Sequence, residues 1–279
     1  MFKFLRKKIG IIGFGNMGSA IAESIKSKYQ VFAFDKDKEK TRELSGIEVS
    51  YSILELIKNV DVIILAIKPQ DFEDLLNEIK PNIRGKLIIS IAAGIKTVYI
   101  EKVLNQIRVV RVMPNIAAKI GDAESAIAKG YSAGDADLYF TQKVFNCLGK
   151  TWIMNEDMID AATAISGSGP AYIFYDMEKR GINPLNTPQE IIDDYASRLM
   201  DAALKVGFSS AEAQGLSWST TNSTIHLAKV SGIPVGELRR RVTSPGGTTE
   251  AALNVLDNNG SWVDAALAAQ KRAKELSRG

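Results

Sequence analysis

A glycine-rich turn near the start of the chain contains the first residues whose types and spacing could do chemistry. Three glycines stand at G-x-G-x-x-G spacing, after a short apolar run that predicts a buried strand and before a helical pattern. In a dinucleotide-binding fold these glycines permit a tight turn, close approach of backbone to a pyrophosphate, and close packing of the helix. The unpaired amides at the helix start then hold the phosphate charge. We therefore interpret the turn as a cofactor-binding loop, made of Gly13, Phe14, Gly15, Asn16, Met17 and Gly18.

A second stretch, near the other end of the chain, could bind an anion. Pro245, Gly246 and Gly247 precede a helical pattern, so several backbone amides face one concavity, and Thr248 and Thr249 add hydroxyl groups. Such a turn is a good cradle for a carboxylate. On local pattern alone, a serine-capped helix start with a flexible turn is the simpler interpretation.

An acidic residue follows the second predicted strand. The apolar residues 31–34 end at Asp35, close to the position where an acid binds the ribose of a dinucleotide. A carboxylate there accepts a hydrogen bond from the 2′-hydroxyl of NAD and repels the 2′-phosphate of NADP. Lys36 and Lys38 oppose this preference, because either ammonium group could reach a phosphate. We expect the cofactor to be NAD(P)H, with NADH used well and NADPH left open as an alternative.

Three other reactive or polar side chains weigh less. His226 lies inside a helical pattern and is expected to be a helix-face residue. Cys147 is expected to be a small buried apolar residue. Tyr172 fits either a substrate pocket or core packing, and the sequence leaves both open.

Strand-like and helix-like segments alternate through the first half of the chain. This alternation predicts an α/β fold with a Rossmann-type, doubly wound, mostly parallel sheet. Ligands of such sheets lie outside the carboxyl ends of the strands. The turns Lys68-Pro69, Ala92-Ala93-Gly94 and Pro114-Asn115 stand at those ends. Each alone is ordinary turn chemistry, but three at one edge predict a cofactor rim.

The sequence pattern changes after residue 154, where long helical patterns replace the strand-like segments. We therefore expect a dinucleotide-binding Rossmann domain over residues 1–155 and an all-helical domain over residues 156–279. In the first domain a charged helix is expected over residues 36–44. In the second, Thr187 with Pro188 and Glu190 predicts a capped helix start, and Ser209 with Glu212 predicts another.

The composition excludes several classes of function. Net charge is only +3, from 35 basic and 32 acidic residues, so no nucleic-acid partner is expected. One cysteine and one histidine make a disulfide framework, a Cys/His metal site and a Cys–His dyad unpromising, so no metal is expected. The longest apolar run, residues 62–67, is far shorter than the ~20 residues that span a bilayer. We expect a cytoplasmic protein without membrane partners.

Six motifs together resemble pyrroline-5-carboxylate reductase. They occur in the same order over nearly the whole chain, and the last two are quite specific. The motifs are residues 13–18, 66–69, 91–94, 111–115, 166–172 and 242–249.

The resemblance implies NAD(P)H-dependent reduction of the cyclic imine 1-pyrroline-5-carboxylate to L-proline, the last step of proline biosynthesis. It also implies a helix-exchanged homodimer, often assembled further into a decamer, whose helical domain serves both substrate binding and dimerisation. Each site is then completed by the partner's helical domain. Carried over residue by residue, the cofactor would be held by residues 13–18 and by Ala66, Lys68, Pro69, Ala92, Ala93 and Gly94, with Asp35 and Lys36 beside them. The substrate would be bound by Ser244, Gly246, Gly247, Thr248, Thr249 and Asn115.

Hydride transfer to an imine carbon needs no nucleophile; it needs the nicotinamide held against that carbon and a proton on the imine nitrogen. We expect the Gly246 and Gly247 amides, with the Ser244 and Thr248 hydroxyls, to grip the substrate carboxylate. Thr249 is expected to hydrogen-bond the ring nitrogen and help deliver the proton. Ser244 and Thr249 are therefore the candidate catalytic residues, and Asn115 is expected to shape the nicotinamide end.

Two features depart from the family pattern. Members usually continue from the Pro-Ala-Tyr segment through one long helix into a glycine turn, whereas residues 181–184 break that helix here and a second helix precedes Gly207. Members also often carry an asparagine before the fourth strand that helps hold the NADPH 2′-phosphate. Residues 51–55 contain none.

Two other functions remain as alternatives. A β-hydroxyacid dehydrogenase also combines a Rossmann domain with a helical one, but needs a lysine early in the helical domain. No lysine occurs between Thr151 and Glu178, which argues against it. A protein that binds NAD(P) for assembly, without turnover, is the other alternative.

Overall fold

The computed structural model describes residues 7–277, which form two units. The first unit runs to Val112 and resumes from Ile127 to Glu156, and the second contains Met113–Ala126 and everything from Asp157 onward. The sequence places one boundary between residues 155 and 156. The short segment 113–126, which joins the second unit, has no composition signal of its own.

A single eight-stranded sheet has the order β3-β2-β1-β4-β5-β6-β7-β8. Pairing is parallel from β3 through β6, as the β-α alternation predicts. The order runs outward in both directions from β1 and β4, the reversal at which doubly wound sheets bind ligands. The strands are β1 Lys8–Ile12, β2 Gln30–Phe34, β3 Glu48–Val49, β4 Val62–Leu65, β5 Leu87–Ser90, β6 Arg108–Met113, β7 Ala123–Lys129 and β8 Gly149–Ile153.

The central strands consist almost entirely of branched apolar side chains because helices cover both faces of the sheet. All four residues of β4 and of β5 are buried, which is why neither strand shows polar alternation. Five helices accompany the strands in the first unit: α1 Asn16–Ile25, α2 Ile53–Asn59, α3 Phe72–Ile79, α4 Thr97–Val103 and α5 Asp135–Phe145.

The charged helix expected over residues 36–44 is wrong. The segment forms only a 3₁₀ turn, Lys38–Thr41, and the backbone reverses at Glu43 with φ of 60°. Thr41 is the one buried residue of that turn. A short helix needs tertiary packing of an apolar face, and this segment offers none.

Up to residue 277, the second unit contains seven α-helices: α6 Ile159–Ala162, α7 Gly169–Arg180, α8 Gln189–Lys205, α9 Ser210–Val230, α10 Val235–Val242, α11 Thr248–Asp257 and α12 Trp262–Leu276. Between α6 and α7 the chain forms a π-helical turn, Thr163–Gly167. Such turns are rare in proteins, and those that occur are frequently found at functional sites. The sequence pattern does not predict this local widening.

One of the two expected helix caps is wrong. Ser209 and Glu212 form the reciprocal capping box that the sequence predicts. At the other start, Pro188 is the N-cap and helix α8 begins at Gln189. The Thr187 hydroxyl instead donates to the carbonyls of Asn183 and Pro184 in the preceding 3₁₀ turn. Because the proline follows directly, the threonine serves the turn before it rather than the helix after it.

The break after α7 produces a helical hairpin, and polar contacts lock its two arms together. Asp176 on α7 accepts from the Tyr195 hydroxyl at 2.9 Å and pairs with Arg198 at 3.4 Å, both on α8. Tyr195 stacks on Trp262 of α12, with ring centroids 5.6 Å apart. The additional loop is therefore supported by a packed, hydrogen-bonded core.

One buried ion pair holds the end of β8 against the sheet. The Arg111 side chain on β6 is 1% exposed, and its Nη1 lies 3.6 Å from Glu156 Oε1. Glu156 also accepts from the Thr97 amide at 2.7 Å and from the Thr97 hydroxyl at 2.6 Å, at the start of α4. The Glu156 carboxylate thus pairs with a buried cation and also caps a helix that has no side-chain cap of its own.

We expect Glu156→Ala to lower the free energy of unfolding by about 3 kcal/mol, because it removes the Glu156 carboxylate from the buried Arg111 guanidinium and from the start of α4. Urea denaturation followed by circular dichroism measures this directly. The exposed Glu78→Ala serves as the matched control and should cost well under 1 kcal/mol. Equal effects of the two substitutions would contradict the role given to the ion pair.

Candidate active site

The glycine turn between β1 and α1 is built by two close backbone approaches. Gly13 has φ of +97°, and a Cβ there would lie 2.5 Å from the Ala66 carbonyl oxygen. A Cβ on Gly18 would lie 2.0 Å from the Gly13 carbonyl oxygen. Gly15 differs, because a Cβ there would meet no heavy atom within 4 Å. Gly13 and Gly18 are therefore required by the fold itself, and Gly15 leaves open space where a ligand can approach.

Asp35 pins this turn to the end of β2. Its Oδ2 accepts from the Phe14 amide at 2.7 Å, and its Oδ1 accepts from the Asp37 amide at 2.9 Å and from Lys40 Nζ at 3.3 Å. Partial burial by itself raises the pKa of the Asp35 carboxyl, but the two amides and the lysine outweigh it and hold that pKa below its ordinary value. The group is an anion at neutral pH with little acceptor capacity left.

A cleft of about 360 Å³ opens at the carboxyl ends of β1, β2 and β4. Gly13, Gly15, Asp35, Lys36, Ala66 and Lys68 all line it, so the structure brings together these six of the predicted cofactor residues. The other predicted cofactor residues do not line this cleft: Phe14, Asn16, Met17, Gly18, Pro69, Ala92, Ala93 and Gly94. Phe14 and Gly18 shape its glycine turn, and Ala92–Gly94 follow β5.

Helix α1 presents its positive end to this turn without competition. Its N-cap, Gly15, makes no side-chain cap hydrogen bond, and the first helical turn contains no acidic residue. The first amides of a helix have no partner within it, and together with the dipole they favour an anion. The turn, the open Gly15 position and the helix end fit the pyrophosphate of a dinucleotide.

A second turn, before α11 in the helical unit, already holds a carboxylate. The Gly246 amide donates to Glu250 Oε2 at 2.8 Å, and Arg272 Nε donates to the Gly246 carbonyl at 2.7 Å. The Gly247 amide is engaged within the turn, donating to the Ser244 carbonyl at 3.0 Å. Of the two glycine amides expected to grip a substrate, one thus binds an internal carboxylate and the other stabilises the turn.

Three hydroxyl groups meet beside this turn. Ser168 Oγ lies 3.1 Å from Thr248 Oγ1, and the Thr249 hydroxyl donates to Ser168 Oγ at 3.1 Å. Ser168 and Thr249 are buried, whereas Thr248 is partly exposed. Sequence reasoning did not select Ser168, although its Gly-Ser-Gly-Pro motif was visible. Ser168 and Thr248 are 80 residues apart, so no local sequence pattern indicates that their hydroxyl groups meet.

Asn115 caps the 3₁₀ turn Ile116–Ile120 in the same unit. Its Oδ1 accepts from the Ala117 amide at 3.2 Å and from the Glu124 amide at 3.1 Å. The residue is 3% exposed, and its Nδ2 makes no hydrogen bond with the residues that the structure describes. The two contacts fix the orientation of the amide, so the remaining donor is Nδ2.

The structure places each of the three other side chains considered in the sequence analysis. Tyr172 is fully buried and donates to the Ala164 carbonyl at 2.9 Å, so it is a core residue. His226 is an exposed helix-face residue, 3.0 Å from Asp122. Cys147 is partly exposed, so its expected burial is wrong; its Sγ lies 3.5 Å from the Lys143 carbonyl at the frayed end of α5.

Residues 7–277 also bear on two other features, a metal site and a membrane-spanning helix. No group of three or more His, Cys, Asp or Glu side chains in that range could hold a metal ion. No helix in that range combines the length and apolarity needed to cross a membrane.

Comparison with known proteins decides the family. A family model described as NADP oxidoreductase, coenzyme F420-dependent, matches residues 8–94, and one described as pyrroline-5-carboxylate reductase dimerisation matches residues 193–276. The pyrroline-5-carboxylate reductase of Methanosarcina acetivorans is 34% identical over 285 residues, which cover 98% of each protein. The chain belongs to the pyrroline-5-carboxylate reductase family.

Solved structures of pyrroline-5-carboxylate reductases share the fold over the full chain. The enzyme from Coxiella burnetii superposes with a TM-score of 0.67 and 29% identity, covering 98% of this chain and 100% of that one. The Plasmodium falciparum enzyme, solved with NADP bound, gives a TM-score of 0.65 and 28% identity, covering 98% and 99%. The chain is thus an NAD(P)H-dependent oxidoreductase of this family, with the Rossmann-type and helical parts that the sequence predicts.

We expect Gly18→Ala to destabilise this reductase by about 1–3 kcal/mol, because its Cβ would collide with the Gly13 carbonyl and push α1 from the turn. Gly15→Ala should change stability by less than about 1 kcal/mol. It should nevertheless weaken NADH binding by about tenfold or more, since its methyl occupies the open approach to the turn. Urea denaturation and fluorescence titration with NADH separate the two effects. Unchanged NADH affinity in a folded Gly15→Ala protein would refute the assignment of the turn.

Proposed function

We propose that the chain reduces the cyclic C=N bond of 1-pyrroline-5-carboxylate to give L-proline, as the last step of proline biosynthesis. The observation that carries this function is the second turn, where a backbone cradle already binding a carboxylate adjoins a cluster of three hydroxyl groups. A substrate with a carboxylate next to a ring nitrogen matches both parts. Full-length similarity to pyrroline-5-carboxylate reductases supports the same reaction.

When bound, NAD(P)H supplies the hydride. The first-turn amides of α1 and the Gly13–Gly18 turn would hold its pyrophosphate, and Asp35 and Lys36 would lie beside its ribose. Ala66 and Lys68 would form the opposite wall, and Pro69 next to them and Ala92–Gly94 after β5 would continue the rim beyond the cleft. The contacts already made by Asp35 support a carboxylate that shapes the turn as well as facing the ribose.

NADH is the preferred cofactor in this proposal. The cleft is lined by five acidic side chains, Asp35, Asp37, Asp71, Asp74 and Glu78, but by only three lysines, Lys36, Lys40 and Lys68. Two of those lysines already pair with acids: Lys40 with Asp35 at 3.3 Å and Lys36 with Asp71 at 3.9 Å. A 2′-phosphate would bring further negative charge into a cleft with excess carboxylate, so the electrostatics favour a free ribose hydroxyl.

The substrate carboxylate would replace the Glu250 carboxylate at the Gly246 amide. The Ser244 hydroxyl and the amide and hydroxyl of Thr248 complete the grip. The Thr248 amide is available because the Thr248 and Thr249 amides, at the start of α11, make no hydrogen bond among the described residues. Gly247 contributes by its size, because a Cβ there would lie 2.2 Å from Ser244 Oγ. Holding the ring by its carboxylate provides the orientation on which hydride transfer depends.

Thr249 is the proposed catalytic hydroxyl, and Ser244 assists by orienting the carboxylate. Thr249 would hydrogen-bond the ring nitrogen, which must carry a proton when the imine carbon accepts the hydride. Asn115, with its one free donor Nδ2, would shape the nicotinamide end of the substrate site. Neither His226, which is exposed and pairs with Asp122, nor Cys147, whose Sγ contacts the Lys143 carbonyl, takes part in this proposal.

The match of residues 193–276 to a dimerisation family indicates that the protein is an oligomer. We further propose that the unit is a homodimer that assembles into a decamer, and that residues 156–279 form its substrate-binding and dimerisation domain. A cytoplasmic location is part of the same proposal. Sedimentation velocity distinguishes a dimer from a decamer.

Steady oxidation of NADH on addition of 1-pyrroline-5-carboxylate tests the function. A β-hydroxyacid dehydrogenase would turn over a hydroxyacid with NAD instead, and a non-catalytic NAD(P)-binding assembly protein would bind the dinucleotide without turnover. Absence of imine-dependent oxidation by the folded, oligomeric protein would overturn the proposal.

We expect kcat/KM with NADH to equal or exceed that with NADPH, because the cleft carries excess negative charge. Asp35→Asn, which keeps an oxygen acceptor but removes the charge, should shift the ratio toward NADPH by about tenfold, or ~1.4 kcal/mol. The exposed Glu73→Gln should leave the ratio unchanged. A wild-type preference for NADPH of more than about tenfold would rule out this account of the cleft.

Thr249→Ala should lower kcat by about 10²-fold with little change in NADH binding, if its hydroxyl serves the ring nitrogen. Thr248→Ala should mainly raise KM for the imine, because it loosens the carboxylate grip. His226→Ala and Cys147→Ala should leave turnover within a small factor. Steady-state kinetics with both substrates measures these effects, and a folded but inactive His226→Ala enzyme would overturn the mechanism.

A further inference from the structure

The Thr249 hydroxyl could serve the ring nitrogen either as a hydrogen-bond donor or as an acceptor. The direction of one hydrogen bond distinguishes the two. The Thr249 hydroxyl donates to Ser168 Oγ at 3.1 Å, and both residues are almost fully buried. A hydroxyl has one proton and two lone pairs. With its proton directed to Ser168, the Thr249 oxygen has only lone pairs to offer another group.

The surroundings of Ser168 make it a good acceptor. Ser168 is the N-cap of α7, directly after the π-helical turn, and its amide donates to the Thr163 carbonyl at 2.8 Å. Gly169 beside it packs closely on Leu199, since a Cβ there would lie 3.1 Å from the leucine Cδ1. The Ser168 backbone is thus held by its hydrogen bond and by close packing of the next residue.

The neighbouring hydroxyl groups decide where the Ser168 hydroxyl can direct its own proton. The Tyr172 hydroxyl directs its proton to the Ala164 carbonyl at 2.9 Å. Burial raises the pKa of Tyr172, and the hydrogen bond with Ser168 only partly opposes it, so the phenol keeps its proton. The tyrosine oxygen and Thr248 Oγ1 are then the acceptors available for the Ser168 proton, which leaves Ser168 Oγ free to accept from Thr249.

We propose that Ser168 is a positioning residue that turns Thr249 into an acceptor, so that the site selects the protonated, iminium form of the substrate. This inference rests on the proposed function. The iminium N–H donates to Thr249, and the iminium carbon accepts the hydride. The C=N π pair returns to nitrogen, which keeps the proton it arrived with. The imine is reduced to the amine and the dinucleotide is oxidised, with no proton transfer from the protein.

A pH dependence follows from this arrangement. In the wild-type enzyme kcat/KM for the imine should fall as pH rises, because the free substrate loses the proton that Thr249 accepts. Without the Ser168 acceptor the Thr249 hydroxyl can rotate and donate to the neutral imine. Loss of Ser168 should therefore cost most at acidic pH and least at alkaline pH.

The test compares Ser168→Ala with Ser166→Ala. Ser166 is a matched control because its buried hydroxyl, in the π-helical turn just before Ser168, donates to the Ala162 carbonyl. We expect Ser168→Ala to lower kcat about tenfold at acidic pH and much less at alkaline pH, with unchanged NADH affinity. Ser166→Ala should retain both the wild-type rate and the wild-type pH profile. In a Thr249→Ala background, Ser168→Ala should have no further effect on kcat.

Each outcome has one meaning. If Ser168→Ala misfolds, Ser168→Cys carries the same expectation, because a thiol of similar size is only a weak acceptor. If either folded Ser168 variant loses rate equally at all pH values, or matches Ser166→Ala, the proposal is overturned while the reductase function stands. If the wild-type enzyme does not oxidise NADH with 1-pyrroline-5-carboxylate, the proposed function itself has failed, and this inference fails with it.

Discussion

The nucleotide cleft depends on the close approach between helix α1 and the turn that precedes it. A side chain at Gly18 would meet the Gly13 carbonyl at 2.0 Å, so only a bare Cα lets the helix start directly above β1. Asp35 then holds the turn from the neighbouring strand through the Phe14 amide. The helix end, the turn and the acid are therefore fixed together, so the amides at the start of α1 and the Asp35 carboxylate share one geometry.

The helical unit reaches its chemistry by different means. It uses amides at a helix start and buried hydroxyl groups, which suits a reaction whose main demands are orientation and the correct protonation of one nitrogen. An internal carboxylate, that of Glu250, accepts from the Gly246 amide in this turn. Ser168 directly follows the π-helical turn before α7, and it lies beside Thr248 and Thr249, which are 80 and 81 positions further along the chain.

Much of the fold could be predicted because its signals are local. The buried strands read as apolar runs, and the Ser209–Glu212 capping box is contained in four residues. The wrong predictions failed for equally local reasons that only packing decides. Residues 36–44 have helical charge spacing but no apolar face to bury, and Thr187 had a closer partner in the turn before it than in the helix after it.

The sequence by itself determined the dinucleotide turn, the parallel sheet, the helical second part and the family, because each depends on spacing within a short segment or on motifs in fixed order. Only the tertiary structure decided which groups meet. It joined segment 113–126 to the helical unit, showed that Asp35 accepts from the Phe14 amide of the glycine turn, and brought Ser168 to Thr249. Hydrogen bonds between distant residues leave no periodic signal in the chain, so their partners and their direction appear only once the backbone has folded.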